Sequence, residues 1–467
     1  MSLRLDSEET KPVYQSPITQ KDGFDDEGGN DDVALKPKIR LFGGVMVIVG
    51  CIIGSGIFIS PKGVHENLLS VGWSLVVWVI CGLFSAIGAY CYAELGTFIR
   101  ESGGDYAYVL AAFGPLCGFL RMWIECIIVR PCTITAVAIT FSTYILQPFF
   151  PNCQLPPYAP QLLAAAVIIL LCLINCKSVK FVTKIQNIFT IAKLGALTLI
   201  IITGLVLLLY GDPYRDSFNN AFEIPEGIGA GQIAIAFYSG LFYVLANVAF
   251  YAGTSPEELL TSNAIAVTFA NKFYGIFAFI MPLLVAGSCF GTVNGVMLTS
   301  SRLFFVAGRN EHMPSILSFI NPYWNTPVPA VLFTAILSLA YLLLSDNIYT
   351  LINYVQIVNW LAIGVATAGL MWMRISKPPR DYPRPLKVNM FFPIIFLLGC
   401  IFLVVFPMYQ APMDTAIGIG IMLTGLPVYF LFVYWRDRME TLSRLMDDFT
   451  LFSQKLLLVI PPAKKEN

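Results

Sequence analysis

Eleven apolar segments, each long enough or nearly long enough to cross a bilayer, constrain this chain more than any other feature. They fall at about 41–60, 71–98, 116–148, 160–176, 185–210, 229–253, 273–306, 328–345, 348–373, 391–409 and 414–435. A hydrocarbon core of ~30 Å takes about 20 apolar residues per helix. Backbone polar groups inside it have no water to bond and must be satisfied within the protein. The expected class is therefore an all-α integral membrane protein. Composition agrees: 57% of residues are hydrophobic and 12% charged, against about 25% charged in soluble domains. The formal net charge is zero, and no basic domain marks a nucleic-acid partner. Segments 116–148 and 273–306 exceed one span, so they tilt, project or include interfacial turns.

Lys/Arg placement sets the expected orientation. Residues 1–40 contain DSEETK and DDEGGNDD and almost no apolar side chains. This excludes a signal peptide and predicts a disordered cytosolic tail. Lys36, Lys38 and Arg40 place that tail inside, and Lys177, Lys180 and Lys184 place the loop after the fourth segment inside. The uncharged stretch 149–160 and the acidic stretch 211–228 face outside. Arg374, Lys377, Arg380, Arg384 and Lys387 then want 374–390 inside, as Arg436 and Arg438 want the tail at 436–467 inside. Termini on one side require an even number of crossings, yet there are eleven segments. The conflict vanishes if 229–253 enters and returns on the outer side as a buried re-entrant hairpin.

The first segment, LFGGVMVIVGCIIGSGIFIS, is interrupted by Gly54-Ser55-Gly56. One reading is a broken helix lining a binding cavity, with a half-helix N-terminus offered to a carboxylate. The other is a small-residue patch for helix packing. Lys193, within NIFTIAKLGALTLII, is an ionisable group inside a span and hence a functional candidate. It either sits deep on carbonyls, in the place of a bound cation, or snorkels to the cytosolic end. Glu94 and Arg100 read as interfacial. Glu125 and Arg130, five apart, do not stack ideally on an α-helix; either one faces the pathway, or both are satisfied structurally. GSCFGTVNG at 287–295 is a second small, polar patch. Asn359 and Trp360 offer an amide and an aromatic face to an amino-acid side chain, or serve interhelical bonding and interface anchoring.

Of eleven cysteines, most lie in apolar spans and act as small hydrophobes. Cys153 lies in a predicted outer loop without a partner, which suggests an intermolecular disulfide. No Asn-x-Ser/Thr sequon occurs, as in surface proteins whose glycans reside on a partner. His65 and His312 are isolated, so no metal site is expected. No catalytic triad, phosphate loop or dinucleotide fingerprint argues for an enzyme or a cofactor.

Several motifs in order make the chain recognisable: VGCIIGSGIFISPKGV (49–64), CYAELGTFIRESGGDYAY (91–108), QPFFPNC ending at Cys153, SCFGTVNG (288–295), TSSRLFFVAGRNEHMPSIL (299–317) and RPLKVN (384–389). The chain resembles light subunits of heteromeric amino-acid transporters, in the L-type neutral branch of the amino acid–polyamine–organocation superfamily. The resemblance runs from about residue 36 to the C-terminus. It implies an inverted-repeat fold of twelve transmembrane helices. The first repeat would cover about 41–210, the second about 229–373, and two further helices 391–435. By resemblance, backbone at Ile52, Ile53, Ser55 and Gly56 holds the substrate carboxylate. Thr133, Asn359 and Trp360 face the substrate, and Phe242 is the aromatic gate. Lys193 stands where sodium-coupled relatives bind an ion, and Cys153 links to a single-span glycoprotein heavy chain.

One departure matters. After SGLF, ending at Phe242, this chain runs directly into YVLANVAFYAGTSPEELL. A block of roughly 35 residues, about two half-helices and their connection, is absent. The implied function is sodium-independent exchange of large neutral amino acids across the plasma membrane, with both termini cytosolic. The alternative is a transport-incompetent isoform, or an incompletely read sequence, that lacks part of the site and only assembles with the heavy chain. A channel ranks lower, because no filter or pore-lining charge ring is visible.

Overall fold

The computed structural model describes residues 41–52, 54, 56–99, 101–150, 155–156, 158–212, 214–219, 221–222, 243–262, 264–344, 348–376, 384–410, 412–434 and 440–462. The 1–40 tail, Ile53, Ser55, Arg100, Cys153, Phe242 and most of 229–253 lie outside these residues. Helices carry almost all of the described structure, and two isolated β-bridges are the exception. Among the described residues, seven helical stretches are long and apolar enough to cross a membrane, and shorter apolar helices accompany them.

The first span is two helices, α1 (Leu41–Ile52) and α2 (Gly56–Leu68), with Gly54 in a bend between them. Of the two readings of the Gly-Ser-Gly interruption, the structure takes the broken helix. Helices α3 (Val71–Phe98), α4 (Asp105–Phe113) and α5 (Pro115–Trp123) follow. Helix α5 runs through a π-turn, Ile124–Val129, into α6 (Arg130–Leu146), so the long 116–148 segment is one rod widened near its middle. Pro131 explains the widening. It has no N–H for the Ile127 carbonyl, and its ring would clash there in a regular α-helix. Helices α7 (Ala159–Lys177) and α8 (Val179–Tyr210) meet at Ser178, whose hydroxyl accepts the Phe181 N–H (3.4 Å) as an N-cap.

Next come α9 (Tyr243–Gly253), α10 (Pro256–Thr261) and α11 (Ile265–Phe273). The central α12 (Ile280–Arg309) is followed by α13 (Val328–Leu344), α14 (Ile348–Ser376), α15 (Phe391–Gln410), α16 (Pro412–Leu423), α17 (Gly425–Tyr429) and α18 (Glu440–Leu457). Helix α10 begins with a complete capping box. The Ser255 side chain accepts the Glu258 N–H (3.2 Å), and the Glu258 carboxylate accepts the Ser255 N–H (2.9 Å). The Ser255 N–H, aided by Lys272, holds the Glu258 pKa below its ordinary value. The cap is therefore intact at neutral pH and weakens as pH falls through the carboxylate range.

Helix α12 packs on α1, α6, α7, α8 and α13, and glycines permit the close approach. A Cβ at Gly291 would lie 2.9 Å from the Phe189 side chain of α8, and one at Gly295 2.6 Å from Cys51 Sγ of α1. Helix α9 has 11 residues, about 16 Å at helical rise, half of a ~30 Å core. The rest of the expected hairpin lies outside the described residues. Helix α9 rests on α8 at Gly204, where a Cβ would collide with the Ala249 backbone. Gly204→Ala is therefore expected to cost about 1–3 kcal/mol through overpacking, read as a lower apparent melting temperature by size-exclusion analysis of heated samples.

Candidate functional site: the break in the first helix and the lysine beneath it

The last four carbonyls of a helix have no partner inside it, and the helix end carries partial negative charge. Helix α1 ends at Ile52, so the Gly50 carbonyl is one of these. Lys193, on α8, donates to it at 2.8 Å. The same Nζ reaches the Ser288 carbonyl (3.4 Å) and Thr292 Oγ1 (3.3 Å) on α12. Lys193 is 0% exposed. It does not snorkel; its charge is fully enclosed at the end of the broken helix. Thr292 completes the knot, bonding the carbonyls of Ser288 (2.9 Å) and Gly50 (3.4 Å). Three elements, α1, α8 and α12, thus meet on one ammonium group a few residues before the break.

Past the break, α2 begins at Gly56, and Gly56 itself is exposed. The first turn of a helix carries positive partial charge. The two ends of one span therefore differ chemically. The carbonyl end is neutralised by Lys193, and the N–H end suits an anion such as a carboxylate. Ile52 ends α1; Ile53 and Ser55, between the ends, lie outside the described residues.

An amide chain supports the knot from below. Asn175 Nδ2 donates to Asn294 Oδ1 (3.2 Å), and Asn294 Nδ2 donates to Gln186 Oε1 (3.2 Å) and the Val182 carbonyl (3.1 Å). Thr190 Oγ1 donates to the Met46 carbonyl of α1 (3.2 Å). Gly50 is forced by this packing, because a Cβ there would collide with the Gln186 amide and the Thr190 hydroxyl. Cys51 and the Gln186 amide were not legible as neighbours of the break. Their only sequence signal is their spacing from Gly50 and Lys193.

The other sequence-predicted residues are spread around this centre. Thr133, on α6, is half-buried and returns its hydroxyl to the Val129 carbonyl (2.7 Å). Asn359 and Trp360 are half-buried on α14. The Trp360 ring packs against Phe84 of α3, 5.7 Å between centroids. Its buried indole N–H has no hydrogen-bond partner among the described residues. Helix α14 also packs on α6 and the π-turn, which brings the Thr133 and Asn359 helices together. Cys153 and Phe242 lie outside the described residues.

Two charge clusters decide what the sequence left open at Glu125 and Arg130 and correct the reading of Glu94. Glu125 and Arg130 do meet: Arg130 Nε donates to Glu125 Oε1 at 2.6 Å. The π-turn explains it, since i→i+5 is the repeat of a π-helix. Arg121 bonds Glu125 (2.7 Å) and Asp105 (2.7 Å), and Arg130 bonds Thr299 Oγ1 (2.9 Å). The cluster ties α4, α5 and α6 to α12. Glu94, read as interfacial, is 0% exposed. It accepts from Arg374, from Arg384 (3.1 Å) and from the Val388 N–H (2.9 Å). It locks the ends of α3 and α14 to the segment before α15. Glu94→Gln removes the charge facing two buried guanidinium groups. It is expected to cost about 3–5 kcal/mol, seen as a collapse of monodisperse protein in detergent.

A many-span helical chain with a broken first helix, a buried lysine under the break and no metal-ligating cluster among the described residues is a membrane carrier in architecture. The chain belongs to the amino acid permease family, whose model matches residues 39–239 and 228–433. It is 46% identical over 470 aligned positions to the human large neutral amino acids transporter small subunit 2, covering 93% of this chain and 87% of that protein. It is 41% identical over 471 positions to the human Asc-type amino acid transporter 1, covering 93% and 90%. It is 39% identical over 473 positions to the human cystine/glutamate transporter, covering 94% and 93%. The chain is thus a multi-pass amino-acid transporter of the L-type branch, and not an enzyme. Since 93% of 467 residues is about 434, about 36 of the 470 positions aligned with the first relative hold no residue of this chain. The family model matches in two stretches that meet at 228–239, beside the Phe242–Tyr243 junction.

Proposed function

We propose that this chain is the light subunit of a sodium-independent exchanger of large neutral amino acids, working by alternating access in the plasma membrane. The observation that carries the reading is the Lys193 ammonium on the Gly50 carbonyl. It puts a fixed cation at the end of the broken helix, among oxygens that would otherwise suit a metal cation. The substrate carboxylate sits at the break, on backbone of Ile52, Ile53, Ser55 and Gly56. Thr133, Phe242, Asn359 and Trp360 form the remainder of the pocket. In liposomes, with the missing block restored from a relative, leucine uptake should require leucine inside and be unchanged when choline replaces sodium. Uptake that follows the sodium gradient would overturn the reading.

The partner is a single-span glycoprotein heavy chain, joined through Cys153. The ten other cysteines lie among the described residues, eight of them buried in apolar helices. Cys153→Ser should abolish a reducible high-mass band on a denaturing gel; persistence of the band would assign the link to another cysteine. Both termini are cytosolic, and 229–253 is a re-entrant hairpin. Labels at Asp216 and Ser262 should then react from the same outer side, and reaction from opposite sides would sink the hairpin.

A second reading is favoured by the aligned positions that hold no residue here. In it, the chain as it stands occupies the heavy chain without turning over substrate.

A further inference from the structure

Helix α18 is divided into three sectors, and one of them is unaccounted for by the protein. At about 100° per residue, Thr450, Ser453 and Leu457 share the sector turned to the protein. Ser453 is buried, and Leu457 packs on the core that contains Ile316, Leu317 and Ile320. Arg444, Asp448 and Lys455 share a second, exposed sector, with Leu451 at its far edge. Phe449, Phe452 and Leu456 fall within about 60° of one another and form the third. They are 61%, 64% and 68% exposed. Two phenyl rings and a leucyl group in one stripe, beside a charged stripe, are not the face of a helix surrounded by water.

The helix is held at the membrane boundary from both ends. Five residues separate it from Tyr434, the end of the last span, so its start lies within about 20 Å of that end. At its other end, Ile460 pairs with Ile320 in an antiparallel bridge (2.9 and 3.0 Å), and Asn321 Nδ2 donates to the carbonyls of Leu457 (3.4 Å) and Leu458 (3.3 Å). Ile320 lies on the connection between α12 and α13, eight residues before the next apolar helix begins.

We propose that α18 is an in-plane membrane anchor, with Phe449, Phe452 and Leu456 seated among lipid acyl chains. Amphipathic helices with an aromatic and aliphatic stripe beside a charged one lie in this way, buried to about 5–10 Å. The occupant is the bilayer rather than a protein groove, because the stripe is narrow and the helix is tied at one end to the last span and at the other to a connection between membrane helices. Residues 440–457 hold Glu440, Asp447 and Asp448 against Arg444 and Lys455. Apolar insertion, not attraction to anionic lipid, therefore holds the helix. Through the Ile320–Ile460 bridge, the anchor fixes the α12–α13 connection at the membrane surface.

The test places the photoreactive residue p-benzoylphenylalanine at position 452, 456 or 448 of the full chain in phosphatidylcholine liposomes. Each variant is first shown to be monodisperse. Mass spectrometry of the α18 peptide should find lipid adducts at least roughly tenfold more abundant at 452 and 456 than at 448, with no change at high salt. Equal yields at all three positions would overturn the proposal. Adducts of 452 to protein, whether to residues 1–40 or to a second copy, would also overturn it.

Discussion

On the second reading, leucine exchange by this chain, assembled with a heavy chain in liposomes, is little or none, and it becomes robust once the missing block is restored from a full-length relative. A carrier of this kind holds its substrate between two broken helices at equivalent places in two repeats. The first is present: α1 stops at Ile52, α2 starts at Gly56, and Lys193 closes the end of α1. The second would come from the stretch between Phe242 and Tyr243. The chain passes that junction without it and continues in α9, an 11-residue helix against α8. Loss of one charge-assisted contact to the substrate amine costs about 1.5–3 kcal/mol, or roughly one to two decades of affinity. Loss of the half-helix that moves removes the alternation as well. Saturable leucine exchange by the unrepaired chain would overturn this expectation, and would mean that residues 240–253 rebuild the second wall.

The membrane class, the break in the first helix and the deep placement of Lys193 were legible because each is a local conflict with lipid. A Gly-Ser-Gly run weakens a helix where repair is hardest, and a lysine in an apolar span needs a partner. The partner itself was not legible. Gly50 lies 143 residues from Lys193, and nothing in its neighbourhood marks its carbonyl as an acceptor. Glu94 failed for the same reason. Its acceptor role depends on Arg374 and Arg384, 280 and 290 residues away, while its position at the end of a span suggested water. The direct contact of Glu125 with Arg130 was hidden for a different reason. The five-residue spacing is wrong for an α-helix, and only Pro131 hinted that the turn would be a π-turn. The sectors of α18 are plain in its sequence once its boundaries are known, but its charged flanks masked it as tail.

Replacing Lys193 should separate its charge from its bulk. In the block-restored chain, Lys193→Met keeps most of the volume and removes the donor. The Gly50 carbonyl at the end of α1 then loses its strongest partner, and Thr292 remains at 3.4 Å. A buried acceptor left so costs about 1–3 kcal/mol, and the negative end of α1 loses its counter-charge. Leucine exchange should fall at least roughly tenfold, with surface amounts unchanged. Lys193→Ala removes the bulk too and leaves a hole lined by the Gly50 and Ser288 carbonyls and Thr292 Oγ1. A small cation can enter that hole, as it cannot beside methionine. Sodium or methylammonium should therefore restore part of the exchange in Lys193→Ala and none in Lys193→Met. Full exchange in Lys193→Met would show that the ammonium is dispensable. Equal loss in both variants without rescue would reduce Lys193 to a structural peg between α1, α8 and α12, and the explanation for sodium independence would have to move elsewhere in the site.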